Sequence, residues 1–211
     1  MESGDLRAIG GAVWLLAQAH RDSGEFEAAA EVNRQALELL APRLDGAADE
    51  VTAIYGALLF EAAYTAARAG ERGVAWGFWD RADAVAQRLP AHFYDPMTSF
   101  SQVIMSAHAV TVAVEARQGG ESLRQAKRAA ILPIPSQPRR GRHLIEVARA
   151  WHLAGDETAA LGTLKEAQAT APETIRYNGY GRAIIAELAS AGPEGLRRQA
   201  AGLAERVGVL V

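Results

Sequence analysis

The side chains in this sequence that could do chemistry are few and thinly spread. His143 and Glu146 lie one helical turn apart, and His152 follows nine residues after His143, a spacing that could serve a metal if further ligands converged. No second carboxylate or histidine recurs at matching spacing, so the trio reads as part of a helix surface and no metal is expected. The glycine pair nearest to a phosphate cradle, in Asn178-Gly179-Tyr180-Gly181, sits between helical segments and reads as a turn. HExxH, GxxxxGK[ST] and GxGxxG are all missing, and the absence of cysteine removes thiolate nucleophiles and thiolate metal sites together. The expectation is a non-enzyme with no catalytic residues and no cofactor. Arg139-Arg140-Gly141-Arg142, with Lys127 and Arg128 nearby, is the concentrated basic patch. It reads either as a solvated helix start or as a contact for an acidic partner, since arginine forks match carboxylates.

Whatever these residues do, helices must position them. Apolar periodicity and turn residues predict helices near 5–22, 25–41, 49–69, 71–89, 98–118, 120–131, 138–154, 156–170, 174–190 and 193–207, with no strand. The run Val110-Thr111-Val112-Ala113-Val114 favours a strand by propensity, but its alanine-rich flanks and the helix pairs around it keep it helical. Prolines interrupt helix formation at Pro90 to Pro96 and at Leu132-Pro133-Ile134-Pro135-Ser136-Gln137-Pro138, the second reading as a stiff extended spacer.

A pattern of small residues recurs along these helices: Ala17-Gly24-Ala29-Ala36, Ala63-Gly70-Ala75-Ala82, a blurred copy near Gly119-Gly120, and Ala148-Gly155-Ala160-Ala167-Pro172. It resembles the tetratricopeptide repeat, in which small side chains let two antiparallel helices cross closely and a glycine turns the chain between them. The first copy departs from the motif at Asn33, where a large apolar residue is usual, and the third carries Arg124 or Gln125 where a small one belongs. Turn glycines 24, 70, 119 and 155 are 46, 49 and 36 residues apart, each gap above the usual ~34, so helices or loops absorb the excess. The fold expected is all-α, a tetratricopeptide-like right-handed superhelix of about five antiparallel helix pairs forming one solenoid over residues 1–211. Its pairs lie near 5–42, 49–89, 98–131 and 138–172, and 174–207 caps the open apolar edge.

In arrays of this kind the first helix of each pair lines the concave groove. Register puts Trp14, Gln18 and Arg21 there from the first copy, Phe60, Tyr64 and Arg68 from the second, and Ile145, Arg149 and His152 from the fourth. Alternating aromatic and arginine side chains suit a ligand that is part apolar and part anionic, although the rings could equally fill a tightly wound interior. His108 falls in the third register, which leaves open whether it faces groove or core.

Composition narrows the partners. The net charge of −3 conceals a polarity, with −7 over residues 1–100 and +4 over residues 101–211. Neither half has the dense basic stripe that phosphate neutralisation requires, so duplex DNA is not a direct partner. The longest uncharged run, Pro96 to Val114, is broken by Thr98, Ser99, Ser101, Gln102, Ser106, His108 and Thr111 and makes a buried helix rather than a membrane span. An acidic start, Met1-Glu2-Ser3-Gly4-Asp5, and the lack of cysteine point to the cytoplasm. Two lysines beside twenty arginines and abundant alanine point to a GC-rich bacterial genome.

Beyond the generic repeat, Tyr55-Gly56-Ala57-Leu58-Leu59, Thr98-Ser99-Phe100 followed by His108, Arg139-Arg140-Gly141-Arg142-His143-Leu144-Ile145-Glu146-Val147-Ala148-Arg149-Ala150, Glu166-Ala167 and Ala171-Pro172-Glu173 form a more specific set. The chain resembles the tetratricopeptide regulatory region of XRE-type helix-turn-helix transcriptional regulators of high-GC Gram-positive bacteria. That family usually carries an asparagine four residues before the histidine, where Ile104 stands here. The resemblance implies a domain that senses a small-molecule or peptide effector, self-associates as a homodimer, and meets DNA only through an N-terminal domain missing from these residues. The alternative is a free-standing adaptor that binds a partner protein with no link to DNA.

Overall fold

A computed structural model describes residues 5–129 and 134–210. Met1 to Gly4, Val211, the last residues of the predicted 120–131 helix and Leu132-Pro133 of the proline spacer lie outside the described residues. The described residues form eleven α-helices and one short 3-10 turn at Ala41–Arg43, with no strand among them. They pack into two compact units, the first ending at Ala116 and the second beginning at Arg117.

The first unit contains α1 (Leu6–Asp22), α2 (Phe26–Leu40), α3 (Asp49–Arg68), α4 (Arg72–Ala86) and α5 (Gln102–Glu115). Gly24 and Gly70 turn the chain between the paired helices with φ of +83° and +85°, a conformation in which a side chain is strained. The small positions of the repeat do what the motif requires, for Ala17, Ala29, Ala63, Ala75 and Ala82 are fully buried at helix crossings. α3 is the central helix, buried from Thr52 to Ala67 and packed by α1, α2, α4 and α5. Its Gly56 is where Phe100, itself fully buried, lays its ring: a Cβ there would stand 2.1 Å from the ring.

The predicted 98–118 helix begins later, at Gln102. Residues 95 to 101 instead form a tight connection organised by Asp95, whose Oδ1 accepts hydrogen bonds from the Met97 and Thr98 amides and the Thr98 hydroxyl. Ser99 takes a positive φ of 67° within it, and Ser101 caps α5 by accepting from the Ile104 amide. A side chain that bonds its neighbouring amides offers the backbone an alternative to helix, and here that alternative wins.

The second unit contains α6 (Gly119–Ala129), α7 (Gln137–Leu153), α8 (Glu157–Thr170), α9 (Pro172–Tyr177), α10 (Gly179–Ser190) and α11 (Glu194–Val207). Gly155 supplies the third left-handed turn glycine, whereas the blurred copy turns at Arg117, φ +53°, and its Gly119-Gly120 open α6. A single helix over 174–190 is not what forms. Asn178 stops α9 in an extended conformation and starts α10, its Oδ1 accepting from the Gly181 amide at 2.9 Å, so the glycine pair belongs to a capped first turn. Pro172 both ends the fourth copy and opens α9 at its first turn, where its missing N–H is harmless. Ile145, Leu161, Leu164, Ile175, Ile185, Leu188 and Leu203 form the core of this unit, to which α11 contributes one apolar face. No helix among the described residues is long and apolar enough to cross a membrane.

Candidate functional site

In the first unit α1 and α3 are the first helices of the pairs they form with α2 and α4, α5 packs on α3 and α4, and α3 touches both α1 and α5. Of the side chains that register assigns to a groove, Arg21, Phe60, Tyr64 and Arg68 are joined there into one polar and aromatic array. Arg21 is buried; its guanidinium donates to the buried Glu61 carboxylate, reaches Asp22 through Nε at 3.2 Å and lies 4.0 Å above the Tyr64 ring. Tyr64 in turn donates from its hydroxyl to Glu115 at 3.3 Å. Phe60 stacks on His108 with centroids 3.5 Å apart and planes at 14°, which decides the facing of His108 in favour of the packed interior. Arg68 pairs with Asp22 at 3.0 Å. Trp14 and Gln18 are half-buried, and the Gln18 amide donates back to the Trp14 carbonyl at 3.4 Å. Arg21, Phe60 and Tyr64 thus spend their polar and π faces on one another, while Trp14, Gln18 and Arg68 keep part of their surface open.

The second unit repeats the chemistry on α7. Glu146 is 2% exposed and accepts from Arg142 Nε at 3.0 Å and from Arg149 at 2.7 Å; Arg149 lies 3.7 Å over the Tyr180 ring. His152 is held by Glu157 at 2.9 Å and Glu187 at 3.6 Å. Ile145 is fully buried in the core, because the position three before a crossing alanine points into the helix pair here, and it presents no surface to a ligand. Of the metal trio, Glu146 is occupied by arginines and His152 by carboxylates, and the described residues contain no group of three metal-ligating side chains. His143 is largely buried with Nδ1 unpartnered, and burial holds its pKa below the ordinary histidine value despite the nearby Glu146 charge. The basic cluster works internally as well: Arg140 caps the carbonyls of Ile134 and Pro135, and Arg142 serves Glu146.

Glu61 anchors the first array and Glu146 the second, and the groove register names neither. Both stand two residues before a crossing alanine, Ala63 and Ala148, so the repeat register itself was the signal that could have found them. A second feature had no sequence signal. Between α2 and α4, above α3, runs a cleft of about 410 Å³ walled by Phe26, Leu37, Val74 and Phe78 and floored by Ala62, Thr65 and Ala66.

No family model and no curated protein matches this sequence. Among solved structures, the chain is similar to the nearly identical TPR-like repeats attributed to a kinesin light chain of Podosopora anserina. The TM-score is 0.60 at 22% identity over 99% of this chain and 96% of that one. A single-substitution variant of the same repeats gives 0.58 at 22% identity over 93% and 92%. The shared property is the fold, a TPR-like array of helix pairs.

Proposed function

We propose that this chain is a regulatory binding module without catalytic activity. It takes a peptide or small-molecule effector on the first-helix face and self-associates as a homodimer, in the manner of the regulatory region of an XRE-type transcriptional regulator. Contact with DNA falls to a separate domain. The observation that carries the reading is the pair of Arg–Glu–Tyr arrays on first helices. A buried Arg21–Glu61 pair gives up hydration that apolar packing would not, so its use at both Glu61 and Glu146 favours a role in setting a defined, switchable arrangement. Trp14 and Arg68 beside the first array, and Arg149 in the second, each keep part of their surface open and offer apolar or cationic contacts to an effector within their own unit. Leu15 and Leu16, 59% and 46% exposed on the outer side of α1, supply an apolar surface for the second copy.

Native mass spectrometry of the full chain purified from a high-GC Gram-positive host reads both parts of the proposal. The expected spectrum is a dimer carrying a discrete added mass, which Leu15→Asp with Leu16→Asp converts to monomers. A bare monomer that takes no mass from host extract contradicts it. The second reading, a protein adaptor, is favoured by the TPR-like fold shared with the kinesin light chain repeats. It predicts instead that the added mass is a polypeptide.

A further inference from the structure

We infer that the cleft between α2 and α4 is a ligand site for an amphiphilic amine, a compound with an apolar body and one cationic head. This site lies between the second helices of the first two pairs, is floored by Ala62, Thr65 and Ala66 of α3, and shares no lining residue with the first-helix face proposed above.

Phe26 and Leu37 of α2 face Val74 and Phe78 of α4 across a gap of about 410 Å³, within the size that small-molecule sites occupy, and the alanines of α3 make its floor smooth and apolar. Val74 is 48% exposed, so the wall is wetted where apolar surface would be better covered. Thr65 is the exception in the floor. It is 3% exposed and its hydroxyl has no hydrogen-bond partner, although a helical threonine ordinarily bonds the carbonyl one turn back. A buried hydroxyl left unmade costs free energy, and a ligand head at the cleft restores its partner.

The charges along the rim choose that head. α2 and α4 both begin at the end of the cleft where α3 finishes, and there Glu27, at the start of α2, and Glu71, at the cap of α4, make no ion pair among the described residues. Thr65 and Ala69 line the same end. Arg34, further along, is already gripped by Glu31 and Glu38, and Arg81 lies over the Phe78 ring about 15 Å of helix beyond Glu71. Arg68, whose guanidinium lies 5.7 Å from the Phe26 ring at this end, is paired with Asp22, so the two unpaired carboxylates leave the end open to a cation beside the unpartnered hydroxyl, which can accept from an ammonium while the alkyl or aryl body fills the apolar walls.

The test is a calorimetric titration of the full chain with decylamine, decanol and decanoate, which share one body and differ in the head. The amine is expected to bind best, decanoate worst, with at least about tenfold between them. Val74→Trp, at a position exposed enough to accept the ring, fills the mouth and is expected to weaken decylamine by about tenfold or more. Thr65→Val, which keeps the side-chain shape, is expected to weaken it about threefold to tenfold while circular dichroism stays unchanged. Binding that ranks decanoate at or above decylamine overturns the assigned class. Absence of binding by all three probes, or an affinity untouched by Val74→Trp, overturns the site.

Discussion

Asn33 shows how one residue can be buried at a cost. It sits where the repeat expects a large apolar side chain, it is 1% exposed, and neither its amide nitrogen nor its oxygen has a partner. An unpaired buried amide costs on the order of 1–3 kcal/mol, and leucine keeps the branching of asparagine without the polar atoms. Asn33→Leu is expected to raise the thermal midpoint by a few degrees, read by differential scanning calorimetry. His143 makes the opposite kind of prediction. Its folded pKa is lowered, chiefly by burial and against the pull of Glu146, so between that value and the unfolded ~6.5 the unfolded chain binds more protons. Stability is therefore lost as pH falls below about 6.5. Melts from pH 7.5 to 5.0 are expected to decline more steeply for the natural chain than for His143→Gln, and parallel curves contradict the assignment.

At the scale of elements, the residues that resemble a regulator family prove to touch one another. Gly56 and Phe100 come from two separate blocks of that resemblance, and the ring occupies the space a Cβ at 56 would need. Gly141, in the arginine block, stands against Ala171 of the Ala-Pro-Glu block, where an added Cβ would lie 2.6 Å from the alanine Cβ. These spacings record helix crossings. Gly56→Ala is expected to destabilise by about 1–3 kcal/mol, because the ring it displaces is fully buried and cannot swing into solvent. Urea unfolding checks it. Helix boundaries were legible in the sequence because crossing alanines and turn glycines are local signals, and all but two of the predicted helices begin and end within a few residues of where they form. The start of α5 and the break at Asn178 were not, since each turns on whether one short polar side chain, Asp95 or Asn178, bonds the amides two or three residues on or leaves them to the helix, a local competition that apolar periodicity does not report. Register assigns the nine groove candidates to α1, α3 and α7, but how deeply each is buried depends on neighbouring helices. α3 is enclosed on several sides, so Phe60 and Tyr64 pack inward while Arg68 at its end does not. The α2–α4 cleft had no sequence signature because a gap between helices belongs to no single stretch of chain.

For the whole molecule, we propose that the TPR-like fold carries regulation through binding, with the polar arrays setting its arrangement and the partly open arginines beside them meeting the effector. On that proposal a ligand with an anionic group would take a charge-assisted hydrogen bond from Arg149 or Arg68, each of which is already oriented, one by Glu146 and Tyr180, the other by Asp22. The decisive measurement is a calorimetric titration of the captured effector into the natural chain, Arg68→Ala and Arg149→Ala, with circular dichroism alongside. A loss of about 1 kcal/mol or more in at least one variant, with helix content unchanged, is the predicted result. Equal affinity in all three proteins would contradict the account and remove the first-helix face from the site.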